Sequence, residues 1–369
     1  MKRHGNSSFG GIKLTGIFSS LPTILITIFI FGLLIFVHEL GHYIAARRCG
    51  VGIIEFAIGM GPKVFSWEGK YNTFSLRALP IGGFVSMIGE YTDEIEEKDK
   101  GKTPLADKSV LQRIIIVLAG PMMNILLAFI VMSILVMSGK YIYTAVVAEF
   151  HDGATSSAHG LMREDEIIEI NGKNIYVYTD LSYKIVSDGI KPLEITVLRN
   201  GEKVHLTNVQ VPTVNDGGVN YGSVDFKVWA KEKTVGAVIH QSFFQSVSTV
   251  YMTVDSLFDA IKGRYGADAI SGPIGIGGEI GEVIDAGNSF TDTIRNLATV
   301  LVFISISLGI FNLLPIPVLD GGMLLFCIIE AIRRKPMNKK VERTISGVFM
   351  VLLLTATVVI FLKDLVKLF

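Results

Sequence analysis

The chain has 369 residues, half of them apolar, with 34 basic against 34 acidic side chains and a formal net charge of zero. That length allows two or three folded units, and the balanced charge argues against nucleic acid as a partner. The two cysteines, Cys49 and Cys327, lie far apart beside apolar segments, which excludes a disulfide framework and any Cys-x-x-Cys metal knuckle.

Four runs are apolar enough to cross a bilayer, which takes about 20 residues. They are Leu21–Ala45, Ile114–Met137, Leu297–Leu314 and Ile345–Leu362. Residues 1–20 form a polar, glycine-rich N-terminal arm. The first span, residues 21–46, ends in His38-Glu39-Leu40-Gly41-His42, which reads H-E-x-x-H. Histidines four apart share a helix face and suit one zinc ion, with Glu39 placed as a general base. An ionisable group at membrane depth costs about 2.5–3.5 kcal/mol on insertion scales, so such groups are functional candidates. The bland alternative is a chance match that caps a membrane helix. A signal-peptide cleavage site exists only near Ala45-Ala46, and cutting there would discard the motif, so the span is read as retained.

Residues 51–88 alternate short apolar stretches with glycine and proline turns, which predicts a membrane-associated β-hairpin segment. Two readings stand. One is a small sheet dipping beside the zinc, its free edge open to an extended substrate; the other is an amphipathic hairpin on the membrane surface. Residues 89–113 are a charged cytoplasmic loop. The second span, 114–138, contains Ala119-Gly120-Pro121 and Asn124, which either shape the site wall or pack helices together.

Residues 140–232 have the composition of a mostly β domain outside the membrane. Strand-like runs occur at Ala145–Phe150, Glu166–Ile170, Leu193–Leu198 and Lys203–Val209, with turns at Asn171-Gly172 and Asn200-Gly201. His151, His159 and His205 lack metal-ligand spacing and are read as ordinary histidines. Residues 237–290 hold an amphipathic helix and a linker with the turn Ser271-Gly272-Pro273-Ile274-Gly275. That helix lies either on the outer membrane face or against the β domain.

The third span, 293–318, leads into Leu319-Asp320-Gly321. Asp320 is the only aspartate in this span and its apolar flanks, and Pro315 and Pro317 break the helix just before it. A catalytic zinc wants three protein ligands and an open position; His38, His42 and Asp320 supply them. The fourth span is 345–363. Arg47 and Arg48 follow the first span, and Arg333, Arg334, Lys335, Lys339, Lys340 and Arg343 precede the fourth. Positive charge marks cytoplasmic loops. His42 and Asp320 then both fall toward the cytoplasmic ends of their helices, with 140–290 outside.

Together these pieces resemble the site-2 protease family of intramembrane zinc metalloproteases, and more closely the bacterial regulator-of-sigma-E proteases. The similarity rests on H-E-L-G-H, on G-G-F-V at 82–85, on A-G-P-M-M-N in the second span, on S-G-P-I-G-I at 271–276 and on N-L-L-P-I-P-V-L-D-G, in order along nearly the whole chain. The resemblance implies a PDZ domain in the middle, where 160–173 is similar to a PDZ signature but Glu164 stands at a usual glycine. It implies zinc as cofactor, Glu39 as catalytic base, and a substrate-handling role for Asn312, with Pro315 and Pro317 beside it. It implies cleavage of single-pass membrane proteins of anti-sigma-factor type; a folded ectodomain would clash with an outer PDZ-like domain, so that domain is expected to screen out untrimmed substrates.

The expected fold is a polytopic α-helical membrane protein with about four transmembrane helices, a membrane-associated β-hairpin segment and one extracytoplasmic PDZ-like β-rich domain. The expected location is the bacterial cytoplasmic membrane, and the expected partners are membrane-protein substrates and the lipid bilayer. Two rivals differ in class. A membrane-anchored PDZ scaffold with a vestigial metal site is opposed by the intact His38, Glu39, His42 and Asp320. A zinc protease for soluble or lipid-modified peptides at the membrane surface is opposed by the motif's place within an apolar span.

Overall fold

A computed structural model describes residues 14–89, 101–216, 219–263 and 272–367. Most of the expected N-terminal arm, the centre of the charged loop at 90–100 and Ser271 lie outside the described residues. In chain order the elements are α1 (Leu14–Arg48), β1 (Ile53–Glu68), β2 (Thr73–Met87), α2 (Val110–Ser138), β3 (Ile142–Phe150), α3 (Thr155–Ala158), β4 (Glu166–Ile170), β5 (Lys173–Asn174) and α4 (Tyr178–Asp188). Then come β6 (Leu193–Arg199), β7 (Glu202–Val209), β8 (Thr213–Asp216), β9 (Val219–Gly222), β10 (Phe226–Lys231), α5 (Val235–Ile261), α6 (Pro273–Asp285), α7 (Phe290–Asn312), α8 (Asp320–Arg333) and α9 (Lys339–Lys367). The chain divides into two units, residues 1–125 with 265–369, and residues 126–264.

The first unit is built on helices because lipid offers no partner to a backbone N–H or C=O, so each apolar segment must bond within itself. Four helices among the described residues are long and apolar enough to cross a membrane: Leu21–Arg48, Val110–Ser138, Phe290–Asn312 and Lys339–Asp364. Their outward faces carry large apolar side chains such as Ile24, Phe29, Ile115, Phe303 and Val351. The buried stripe of α7 is Val302, Ser305, Ile306, Gly309 and Ile310. Ser305 donates to the Asn124 carbonyl at 2.7 Å, and Gly309 lets α7 approach the Pro121 carbonyl.

The helix expected over 293–318 runs instead over Phe290–Asn312. Pro315 and Pro317 have no N–H to donate. The chain therefore closes a tight turn, with Leu313 N–H on Ile310 O, Leu314 N–H on Phe311 O and Leu319 N–H on Ile316 O. Helix α8 then starts at Asp320. Gly321 and Gly322 lie so close to the Leu313, Leu314 and Ile316 backbone that a side chain at either would collide with it. The stretch expected as linker also carries a helix, α6. Its glycine-rich pattern hides it, and the Asp364 carboxylate of α9 completes it by accepting from the N–H groups of Gly272 (2.8 Å) and Gly275 (3.0 Å).

The segment 51–88 forms the antiparallel hairpin of β1 and β2. Its register sets Glu55 to Ile58 opposite two parts of β2, Thr73 to Leu76 and Gly83 to Ser86, so the long hairpin is folded over on itself. Gly59 and Gly82 bend the chain there with φ of +85° and +77°, values that L side chains rarely adopt. Phe56, Val85 and Met87 bury against Ala45, Ala46 and Ile116, while Val64, Phe65 and Trp67 at the distal end stay exposed.

The second unit holds an antiparallel sheet in the order β10-β3-β4-β6-β7, with β5 paired to β4, and a separate β8-β9 hairpin. All four strands expected from alternation are present. A bulge between Ile167 and Glu169 turns Ile170 back into the core, where it meets Ile167, Leu181, Ile185, Leu193 and Val197. Asn171 and Asn200 take positive φ in their turns (49° and 51°). Helix α5 packs on this unit through ring contacts of Phe244 with Tyr176 and Tyr251 with Tyr183. It buries Ser242, Ser246, Ser248 and Thr249 and exposes Ile239, Phe243 and Val247. The buried hydroxyls of Ser246, Ser248 and Thr249 bond back to carbonyls four residues earlier, which makes a small polar face tolerable inside.

Candidate metal centre

Both histidines of H-E-L-G-H stand inside α1, one turn apart, and each is only 8% exposed. The Nε2 atoms of His38 and His42 are 3.2 Å apart. Asp320, the first residue of α8, brings Oδ2 to 3.1 Å from His38 Nε2 and 3.4 Å from His42 Nε2. Two nitrogens and one oxygen thus converge, the histidines from one turn of α1 and the oxygen from a residue 278 positions beyond His42. Among the described residues, no other group of three His, Cys, Asp or Glu side chains meets in this way.

Helix α2 supplies the wall behind the histidines. Ile116, Gly120 and Asn124 recur every four residues, so they share one helix face. That spacing matches the spacing of His38 and His42 on the facing helix. The Ile116 carbonyl lies 2.8 Å from His42 Nδ1 and accepts its proton, which leaves the Nε2 lone pair facing the cluster. Gly120 lies against the His42 ring, and Gly41 lies against the Ala119 backbone; a Cβ on either would overlap its neighbour. The Asn124 side chain is fully buried and reaches to 3.2 Å from His38 Nδ1.

The donor set fits zinc. Ligand atoms on a tetrahedral zinc with bonds of about 2.0–2.1 Å stand about 3.3 Å from one another. The three distances here, 3.1, 3.2 and 3.4 Å, bracket that value. Asp320 Oδ2 is also buried with no hydrogen-bond donor, as an oxygen reserved for a cation would be.

Glu39 points to the neighbouring side of α1, against β2. The Val85 backbone N–H lies near its carboxylate. A Cβ on Gly83 would lie 3.1 Å from Glu39 Cγ and 2.9 Å from Ile35 Cγ2, so G-G-F-V is what lets the hairpin approach this close.

His38, Glu39, His42 and Asp320 are therefore gathered at one place. Asn312 ends α7, half-buried, with Pro315 exposed and Pro317 buried in the following turn. These three shape the chain that delivers Asp320 and are not members of the donor cluster. His159 and His205 are engaged within the second unit, at 2.9 Å from the Thr155 carbonyl and 3.0 Å from the Thr196 hydroxyl. Gly120 and Asn124 were read from the sequence as shaping the site wall or packing helices; the supporting role of Ile116, and the fit of Gly120 against the His42 ring, were not. Their signal was the matched spacing of four on two apolar helices.

A helix-borne H-E-x-x-H completed by a carboxylate from another helix, on apolar segments, defines a membrane metallopeptidase. The family model for peptidase family M50 matches residues 26–356, and the chain belongs to that family, the site-2 zinc metalloproteases. It is similar to zinc metalloprotease RasP of Bacillus licheniformis, at 31% identity over 428 residues covering 95% of this chain and all of that protein. It is similar also to the regulator of sigma-W protease RasP of Bacillus subtilis, at 29% identity covering 94% of this chain and 99% of that one. A Fusobacterium nucleatum protein, provisionally named a zinc metalloprotease, is 36% identical over 354 residues, 94% of this chain and 99% of its own length.

Proposed function

We propose that this zinc metalloprotease holds its metal on His38, His42 and Asp320, uses Glu39 as general base, and cuts within the transmembrane segment of single-pass membrane proteins. The observation that carries the reading is the convergence of three unsaturated donor atoms at tetrahedral spacing beside a glutamate. When bound, zinc lowers the pKa of its water to about 7 and polarises the scissile carbonyl. Glu39 is placed to accept a proton from the attacking water and to return it to the leaving amine. A carboxylate has two oxygens. With the Val85 N–H near the group, one of them stays available for the proton.

A membrane helix hides its carbonyls in hydrogen bonds, so a substrate must unwind before it is cut. Residues Gly83 to Met87 of β2, next to Glu39, offer backbone groups that suit strand addition. Asn312 then serves the substrate strand from the end of α7, with Pro315 and Pro317 holding that end open. The name of the Bacillus subtilis relative supports a substrate of anti-sigma-factor type. The basic loops support a cytoplasmic-side active site in a bacterial inner membrane. The β-rich second unit acts as an extracytoplasmic PDZ-like filter for untrimmed ectodomains.

The test is co-expression with a tagged single-pass substrate bearing a shortened ectodomain, with zinc content measured in parallel. Glu39→Gln is expected to lose cleavage, by about 10²–10⁴-fold, while keeping its zinc. Unchanged cleavage would assign the activity to another protease and bring the scaffold reading forward.

A further inference from the structure

We propose that Asn124 is a positioning residue for the metal: its side-chain oxygen accepts the Nδ1 proton of His38 and so keeps the Nε2 lone pair turned toward zinc. The inference rests on the reading of His38 as a ligand.

A neutral imidazole carries one proton on two nitrogens. If Nε2 binds a metal, Nδ1 must hold the proton, and a buried N–H needs an acceptor. His42 has one in the Ile116 backbone carbonyl at 2.8 Å. His38 has the same need one turn away, and the group at its Nδ1 is the Asn124 amide, 3.2 Å off. That amide is fully buried, and its Oδ1 has no hydrogen-bond partner. Nitrogen and oxygen of an amide exchange places by a half-turn that preserves its shape. The half-turn sets Oδ1 against the Nδ1 proton and gives His38 what Ile116 gives His42.

A role in helix packing is served by other atoms. The contact between α2 and α7 at this level runs from the Ser305 hydroxyl to the Asn124 backbone carbonyl and does not use the amide. An asparagine in an apolar helix is thus left with one neighbour that needs it, the imidazole of His38.

The experiment measures zinc affinity of the purified full chain by competition with a fluorescent zinc chelator, and thermal unfolding of the same samples without zinc. Asn124→Leu keeps the volume and removes the acceptor; zinc binding is expected to weaken about 10–100-fold, the usual effect of losing such a support. Asn124→Asp keeps an acceptor in the carboxylate–histidine–zinc arrangement and is expected to bind zinc at least as tightly as the native chain. Ser305→Ala is expected to leave zinc affinity unchanged. Native affinity in Asn124→Leu, with affinity lost in His38→Ala, overturns this inference alone. Weakening of Asn124→Asp to the level of Asn124→Leu overturns it as well, since shape would then be the cause. Native affinity in His38→Ala overturns the ligand reading itself. If Asn124→Leu does not fold, Asn124→Asp decides: a carboxylate that serves His38 tightens zinc binding, and one that does not loosens it by burying an unpaired charge.

Discussion

Two aspartates in this protein meet opposite fates. Asp165, in the second unit, is fully buried and saturated. The Arg199 guanidinium bonds both its oxygens, at 2.7 and 2.8 Å, and the Met162 N–H adds a third bond at 2.8 Å. Asp320, in the first unit, is also largely shielded, yet its Oδ2 faces two imidazole nitrogens and no donor. A saturated carboxylate can only hold structure together. One kept short of donors is available for chemistry. The same contrast runs through the polar groups around them, since Asp225 and Asp364 are tied to neighbouring N–H groups while the metal corner keeps open lone pairs.

Substitution at each aspartate tests the contrast. Asp320→Asn removes the anionic ligand at constant shape. Zinc affinity is expected to fall at least about 100-fold and cleavage to vanish, with no change in the thermal unfolding of the zinc-free chain. Gly120→Ala attacks the same corner through packing, because the new methyl overlaps the His42 ring. A loss of about 10–100-fold in zinc affinity is expected, and a native value by chelator competition would show that the two helices can separate freely.

Asp165→Asn is expected to do the reverse. It leaves Arg199 poorly paired and lowers stability by about 3 kcal/mol, read as an earlier thermal transition, while zinc affinity holds. If both aspartate variants lost zinc and stability together, the division between saturated and open carboxylates would fail.

A smaller effect sharpens the picture of the second unit. Glu164 takes φ of +67°, and its carboxylate accepts from the Trp229 indole at 3.0 Å. Glu164→Gly relieves the left-handed backbone and is expected to raise stability by about 0.5–1 kcal/mol. A loss of stability would mean that the Trp229 bond outweighs the strain.

The smallest effect is in pH. Burial pushes the Asp188 carboxyl up, but the Lys184 ammonium, the Ser187 hydroxyl and the Asn171 amide outweigh it and hold the carboxyl below its usual range. A depressed carboxylate stabilises the fold above its unfolded pKa and ceases to do so as pH falls through its folded value. The unfolding temperature is therefore expected to drop below about pH 4, and Asp188→Asn to flatten part of that drop.

Some of this architecture was plain in the residue order. The four apolar spans follow from a bilayer's demand for internal hydrogen bonding, and four strands of the second unit follow from alternation and Asn-Gly turns. The helices α6 and α8 were not plain. Each is short or glycine-rich, and each is completed by a distant group: the Asp364 carboxylate for α6, and the Leu313–Pro317 turn against Gly321 and Gly322 for α8. Helix α5 shows the limit of periodicity, since Phe243, Val247 and Phe258 of its apolar stripe stay exposed while Ser242, Ser246 and Thr249 are inside.

By itself the sequence singled out the groups proposed here for the chemistry. H-E-x-x-H in an apolar span and a lone aspartate behind two prolines are too costly at membrane depth to stand there idly. Only the tertiary structure decided how those groups are held. Whether a lone pair faces inward depends on the acceptor behind each ring, and that acceptor comes from α2, more than 70 residues away from His42 and His38. Spacing along one helix places the two rings on one face; the partner packed against that face sets their protons.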